Sequence, residues 1–135
     1  MNTIIVIAAV IENRGSVLIT QRKKDVSQGL KWEFPGGKLE DGEAPEECIV
    51  REIKEELNIE IEVNRIIKAV NHRYSERNIL LLAYLCRQVG GVPMTLDCES
   101  FSWVPVRELM KYDLAEADIP IAIYLQEVLG NGDQT

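Results

Sequence analysis

The distribution of apolar and polar residues predicts a chain in which strands and helices alternate. Residues 4–11 form an uninterrupted apolar run rich in β-branched side chains, which is typical of a strand covered on both faces. A short turn containing Asn13 and Gly15 separates this run from a second strand predicted over residues 16–22, so we expect the two to form a hairpin. Further strands are predicted over residues 60–70, 79–86 and 101–104.

Helical periodicity is clearest over residues 45–58. Pro45 suits the first helical turn, where its missing N–H would be unpaired anyway, and Ile49, Ile53 and Leu57 recur every four residues as an apolar stripe. A second helix is predicted to open at residues 118–120, and its apolar face would consist of Ile121, Ala122, Leu125, Val128 and Leu129. Residues 106–111 suggest a helical turn, and residues 23–31, 71–77 and 88–93 are predicted to be loops or turns.

The first helix carries three acids outside its apolar stripe. Glu52, Glu55 and Glu56 are spaced i, i+3 and i+4, so they should converge on one face. Like charges at this spacing oppose helix formation by roughly 0.2–0.5 kcal/mol per pair, and a divalent cation would remove that repulsion. The alternative is an ordinary solvated face, in which Arg51 and Lys54 offset part of the repulsion.

The approach to this helix favours a ligand site. Gly36 and Gly37 allow the backbone to come close to a ligand or to adopt positive φ. Asp41 and Gly42 predict a turn, and Glu43 follows it directly before the helix.

This segment resembles the Nudix box, G-x5-E-x7-R-E-U-x-E-E-x-G-U, in which U is a bulky aliphatic residue. The matching residues are Gly37, Glu43, Arg51, Glu52, Ile53, Glu55, Glu56 and Ile59. The one departure is Asn58 in place of the last glycine, and Asn is the next residue most able to adopt the left-handed conformation that ends helices. Residues 32–38, WEFPGGK, further resemble the MutT-like branch, and the resemblance extends over nearly the whole chain.

The resemblance implies an α/β Nudix fold, in which a mixed β-sheet is sandwiched between helices as an α/β/α arrangement. It also implies a Mg²⁺- or Mn²⁺-dependent hydrolase that converts a nucleoside triphosphate and water to the monophosphate and pyrophosphate. Glu55 and Glu56 would be the principal metal ligands, joined by the Gly37 carbonyl and by Glu52. Carboxylates and carbonyls are the hard oxygen ligands that such cations prefer.

The general base remains open between two acids. Nudix enzymes often use an acid from the loop before the strand at residues 101–104, and Asp97 matches that position better than the nearby Glu99. Either Glu52 or Asp97 would therefore activate the attacking water.

Four further residues have roles implied by the resemblance. Arg22 and Lys38 would hold the phosphates, because the planar guanidinium of arginine suits phosphate oxygens. Glu43 and Arg51 would orient the acidic cluster rather than touch the substrate.

Phe34 and Asp118 are the implied base-binding residues. Asp118 has a second interpretation as the cap of the last helix, worth ~1 kcal/mol. An ionised carboxylate only accepts hydrogen bonds. It would suit donor edges such as the amine of cytosine, or the N1–H and amine of guanine.

Composition narrows the partners and the compartment. The 135 residues carry a net charge of −7, which disfavours nucleic-acid polymers and anionic membranes as partners. Three cysteines without a C-x-x-C pair indicate buried thiols in a reducing cytoplasm, and the only histidine, His72, has no evident nucleophile partner. We expect a single domain over residues 1–135, cytoplasmic, acting on a small nucleotide as a monomer or homodimer.

The substrate has several candidates. Residues 114–120 look most like those of CTP and modified-pyrimidine pyrophosphohydrolases, so CTP or dCTP is expected. An 8-oxo-dGTP diphosphatase that cleans the nucleotide pool is the alternative within the same chemistry. A non-catalytic nucleotide sensor is the alternative of another class, although such modules typically lose box glutamates that this chain retains. An enzyme for ADP-ribose or capped RNA is disfavoured by the short upstream sequence and the negative charge.

Overall fold

The structure is a computed structural model that describes residues 2–130. The strands of this part of the chain are β1 (Thr3–Asn13), β2 (Ser16–Gln21), β3 (Trp32–Glu33), β4 (Gly36–Lys38), β5 (Ile59–Arg73), β6 (Asn78–Gly91) and β7 (Ser100–Pro105). The helices are α1 (Pro45–Leu57) and α2 (Ile119–Val128), with 3₁₀ turns at Val106–Lys111 and Glu116–Asp118. Every predicted strand and helix is present.

The sheet is mixed and β1 lies at its centre. β1 runs parallel to β6, and antiparallel to both β2 and β4. β5 and β6 form a long antiparallel hairpin at one side, while β7 and β3 extend the other side through β2. The predicted hairpin of the first two strands is therefore confirmed, as is the mixed sheet.

Both faces of β1 are buried, as the apolar run predicted. Its odd-numbered residues pack in one core with α1, and its even-numbered residues pack in a second core with α2. The first core includes Ile7, Ala9, Ile11, Ile49, Ile53 and Leu57, and the second includes Ala8, Val10, Ile121, Ala122 and Leu125. Side chains alternate across a strand, so a single strand can hold two helices on opposite faces. The α/β/α arrangement is confirmed.

Local interactions fix both ends of α1. At its start the Glu47 carboxylate accepts a hydrogen bond from the Ala44 N–H at 3.0 Å, which satisfies a donor that the helix cannot pair. At its end Asn58 adopts φ 59° and ψ 30°, and its N–H donates to the Lys54 carbonyl at 3.0 Å. Asn58 thus takes the left-handed role expected of the residue in the glycine position.

The predicted loops at residues 71–77 and 88–93 were too long. β5 continues to Arg73, which pairs with Asn78, and β6 continues to Gly91, which pairs with Ile59 across the hairpin. Gly91 accommodates this with φ 84°, a conformation that suits glycine. The apolar face of α2 is also narrower than predicted, since Val128 is 51% exposed. Within residues 2–130, none of the helices combines the length and the apolar character needed to cross a bilayer.

Candidate active site

Two neighbouring cavities share Arg22, Glu33 and Gly36 in their walls. The larger has a volume of about 510 Å³, within the range of small-molecule sites, and the smaller about 170 Å³. The larger cavity is lined in part by Phe34, Gly37, Lys38, Tyr74, Arg77 and Asp118. The sequence predicted site roles for Phe34, Gly37, Lys38 and Asp118, but not for Tyr74 or Arg77.

The smaller cavity is lined by acids that were predicted to be metal ligands or the general base. Glu52 and Glu56 reach it from α1, and Asp97 reaches it from the loop before β7. The loop is anchored to the helix, because the N–H groups of Leu96 and Asp97 donate to the Glu56 carbonyl at 3.1 and 3.2 Å. Lys23 Nζ lies 3.0 Å from Asp97 Oδ1. The structure therefore brings three of the predicted acids to one cavity.

Glu56 is the buried member of this group, with 9% of its surface exposed. Burial, and to a lesser extent the nearby negative charge of Glu33, raise the pKa of its carboxyl to about 8. The Thr20 hydroxyl lies close enough to lower that pKa slightly, yet it makes no hydrogen bond of good geometry with any residue of the described part. At neutral pH the Glu56 carboxyl of the metal-free protein is therefore largely protonated.

Arg51 contacts three acids of the box, namely Glu43, Glu52 and Glu55. Its Nε and one terminal nitrogen bind Glu43 at 2.8 and 3.0 Å, and its other terminal nitrogen lies 2.9 Å from Glu52 and 3.3 Å from Glu55. The double hydrogen bond lowers the pKa of Glu43 to about 2. Glu55 is not part of the wall of the smaller cavity, and its side chain is 60% exposed. Glu55 therefore contacts Arg51 beside Glu52, but it does not line the smaller cavity with Glu52 and Glu56.

A half-buried ion pair lies between the two cavities. Arg22 contacts Glu33 at 3.2 Å through one terminal nitrogen, and its Nε donates to the Ser27 carbonyl at 2.8 Å. Burial raises the pKa of Glu33, and the positive charge of Arg22 opposes that rise. Glu33 was not among the predicted site residues; its one signal in the sequence is its place as a lone acid between the aromatic residues Trp32 and Phe34.

Asp118 lies in the wall of the larger cavity, only 6% exposed. Its Oδ1 accepts a hydrogen bond from the Phe34 N–H at 2.9 Å, and it forms no capping hydrogen bond with α2. The predicted helix cap is therefore wrong, because this carboxyl turns to the backbone beside the cavity. Burial also raises the pKa of Asp118 well above its usual range. The shift favours the neutral form of this carboxyl over the ionised form expected from the sequence.

The sequence and the fold match those of known proteins. The NUDIX domain model matches residues 1–125. The chain belongs to the Nudix family. A CTP pyrophosphohydrolase of Escherichia coli strain K12 is 36% identical over 121 residues, which cover 90% of each chain. An 8-oxo-dGTP diphosphatase of the same organism is 29% identical over 129 residues, or 95% of this chain and 100% of that one.

Solved structures agree. The solution structure of the E. coli ORF135 protein has a TM-score of 0.82 and 35% identity, and the match covers 95% of this chain and 93% of that one. A crystal structure of a MutT Nudix hydrolase from Burkholderia pseudomallei gives 0.83 and 26%, with coverage of 92% and 98%. The predicted family and MutT-like character are confirmed. So is the predicted enzyme class of this Nudix protein, a hydrolase acting on phosphoanhydride bonds.

Nudix hydrolases in general use divalent metal ions, and the donors of this Nudix chain suit one. Gly37 leaves a space that a side chain would fill, since an added Cβ would overlap with the Glu52 carboxyl. The unpaired Thr20 hydroxyl and the buried Glu56 carboxyl are polar groups that a cation and its water would satisfy. No three acidic, histidine or cysteine side chains in residues 2–130 already stand close enough together to hold an ion.

Proposed function

We propose that this Nudix hydrolase is a Mg²⁺- or Mn²⁺-dependent nucleoside triphosphate pyrophosphohydrolase that prefers CTP, dCTP or a modified pyrimidine nucleotide. The observation that carries the proposal is the pair of joined cavities. One has the volume for a nucleoside and a buried polar group, Asp118, in its wall. The other is lined by acids, and Arg22 stands where the two meet. This geometry suits a base in the larger cavity and a polyphosphate directed toward the smaller one.

Each box residue has a role in this proposal. Glu52, Glu55, Glu56 and the Gly37 carbonyl would hold the cation, which when bound would neutralise phosphate charge and lower the pKa of water. Either Glu52 or Asp97 accepts the proton of the attacking water. Both line the acidic cavity, so either could reach a water there.

The cationic residues hold the leaving group and the acids. Arg22 and Lys38 line the larger cavity and would grip the phosphates. Arg51 and Glu43 form a two-point ion pair that keeps the guanidinium beside Glu52 and Glu55. This pair restrains the acids before the cation arrives.

Asp118 supplies the preference for cytosine. The Phe34 N–H donates to Oδ1, and burial raises the pKa of this carboxyl well above its usual range, which favours a neutral acid with its proton on the other oxygen. A neutral acid in this orientation offers one donor and one acceptor, which match N3 and the amine of cytosine. Guanine presents two donors at the corresponding edge and would require an ionised carboxylate. Adenine presents the same pattern as cytosine on a larger ring. The similarity to a relative named CTP pyrophosphohydrolase favours the pyrimidine.

The test is a panel of nucleoside triphosphates compared by kcat/KM in a pyrophosphate-release assay. CTP, dCTP and their modified forms should lead, and 8-oxo-dGTP in first place would instead support the alternative function suggested by the second relative. Asp118→Asn separates the protonation states, because an amide also offers one donor and one acceptor. The variant should retain cytosine preference; its loss would show that the carboxylate form binds the base.

Glu55→Gln tests catalysis against mere binding. We expect turnover to fall by about two orders of magnitude or more, with an unchanged melting temperature, since the side chain is exposed. Near-normal turnover at saturating Mg²⁺ would remove Glu55 from the ligand set. If the protein is instead a non-catalytic sensor, the wild type itself will bind nucleotide and release no pyrophosphate.

A further inference from the structure

One wall of the larger cavity is formed by the tip of the β5–β6 hairpin, and another by the 3₁₀ turn before α2. Tyr74 and Arg77 close the hairpin, where the Tyr74 N–H donates to the Arg77 carbonyl at 2.9 Å. Ala117 and Asp118 belong to the 3₁₀ turn and line the same cavity. The two segments come from distant parts of the sequence, so their relative position depends on contacts between them.

The Tyr74 hydroxyl links the tip of the β5–β6 hairpin to the backbone of the 3₁₀ turn. The Ala117 N–H donates to Tyr74 Oη at 3.1 Å. Ala117 is only 4% exposed, so this N–H would have little access to water without the hydroxyl. The bond therefore fixes the backbone one residue before Asp118.

A second contact reinforces the first. His72 Nε2 lies 3.0 Å from Glu116 Oε2, and the His72 and Tyr74 rings meet edge to face with centroids 4.5 Å apart. Aromatic pairs prefer such edge-to-face geometry. His72 and Tyr74 thus hold Glu116 and Ala117, the first two residues of the 3₁₀ turn, and neither His72 nor Tyr74 belongs to the Nudix box.

The 3₁₀ turn has little internal support of its own. It spans three residues, Glu116–Asp118, and its Asp118 N–H donates to the Ala115 carbonyl at 2.9 Å. Short 3₁₀ segments have poorer hydrogen-bond geometry than α-helices. The position of the Asp118 carboxyl is therefore set from outside, by the Phe34 N–H on one side and by Tyr74 on the other.

We infer that Tyr74 is a positioning residue for base selection, because its hydroxyl holds the turn that presents Asp118 to the base. The inference rests on the proposed function and deepens it. A base is discriminated through two hydrogen bonds to one carboxyl, so a small displacement of that carboxyl weakens recognition without disturbing the acids on α1. The effect should therefore appear in KM and in base preference rather than in kcat.

Tyr74→Phe tests this directly, with Tyr84→Phe as the matched control. Tyr84 loses the same atom but packs in the core beside α1 and lines neither cavity named above. For Tyr74→Phe we expect the KM for CTP to rise about threefold to tenfold, the range that one hydrogen bond supplies. The ratio of kcat/KM for CTP over UTP should fall by a similar factor, while kcat stays within about twofold. Tyr84→Phe should leave the KM and the ratio unchanged.

An unchanged KM and an unchanged CTP-to-UTP ratio in folded Tyr74→Phe would overturn the inference, as would an equal effect from Tyr84→Phe. If Tyr74→Phe does not fold, Glu116→Ala removes the exposed contact with His72 and should raise the KM for CTP in the same direction; no rise would be decisive against it. The base preference of the wild type distinguishes failure of the proposed function from failure of this inference. Wild-type protein without CTP preference ends the proposed base specificity and this inference together. A wild-type preference that survives in Tyr74→Phe ends the inference alone.

Discussion

Glu56 makes the stability of the metal-free protein depend on pH in an unusual direction. Its folded pKa is about 8, against about 4.5 for an unburied glutamate. Because the folded state holds the proton more tightly, the resulting stabilisation is complete below about pH 4.5 and is lost as the pH rises through 8. Each tenfold difference in proton affinity corresponds to about 1.4 kcal/mol. Between about pH 6 and pH 9 this one group should therefore lower the free energy of unfolding by about 2–3 kcal/mol.

Glu56→Gln removes the titration while keeping the shape of the side chain. The free energy of unfolding should be measured by denaturant titration in the presence of a chelator, at about pH 6 and about pH 9. The wild type should lose about 2–3 kcal/mol more than Glu56→Gln over this interval. Glu55→Gln is the matched control, because it removes the same charge from an exposed position on the same helix. It should follow the wild type.

The quantity to compare is the loss of unfolding free energy in the wild type minus that in Glu56→Gln, since other groups also titrate. Burial raises the pKa of Cys48 and Cys98 to about 11 and that of Cys86 to about 12, so unfolding becomes easier at high pH in every variant. Comparison with Glu56→Gln cancels this shared contribution. Equal losses of stability in the wild type and in Glu56→Gln would refute the assignment of Glu56 as a protonated, buried acid.

The remaining predictions concern backbone positions. Asn58→Ala should destabilise the protein by about 1 kcal/mol because alanine disfavours positive φ, whereas Asn58→Gly should be nearly neutral in the same denaturant titration; equal effects would contradict the argument. Gly36→Ala should lower stability by about 1–3 kcal/mol, since its Cβ would overlap with the Ile7 carbonyl of β1. Gly37→Ala would instead displace the flexible Glu52 side chain. We expect it to reduce kcat about 100-fold with a smaller loss of melting temperature than Gly36→Ala, and the reverse ranking would be evidence against these packing assignments.

Strong local patterns made the main elements predictable from the sequence. The period of Ile49, Ile53 and Leu57 specified α1 and its buried face, and Asn58 indicated where the helix ends. β3 and β4 escaped prediction because two or three residues are too few to display a period. The end of β6 was missed because glycines at 90 and 91 signal a loop locally, whereas pairing with β5 overrides that signal.

The chemistry of the site was less predictable than its composition. Spacing on a helix places Glu52, Glu55 and Glu56 near one another, but only tertiary structure shows that Glu56 is buried while Glu55 stays exposed beside Arg51. Glu33 carried no periodic signal. For Asp118 the sequence suggested a cap, and the competing donor was the Phe34 N–H, 84 residues away in sequence.

The parallel pairing of β1 with β6 has a consequence for synthesis on the ribosome. Thr3 and Asn78, which meet across these strands, are 75 residues apart. At translation rates of about 5–20 residues per second, the nascent apolar strand waits about 4–15 s before its parallel neighbour has been made. During that delay it is an attractive client for chaperones, and the chain acquires its final architecture late, through contacts between distant segments.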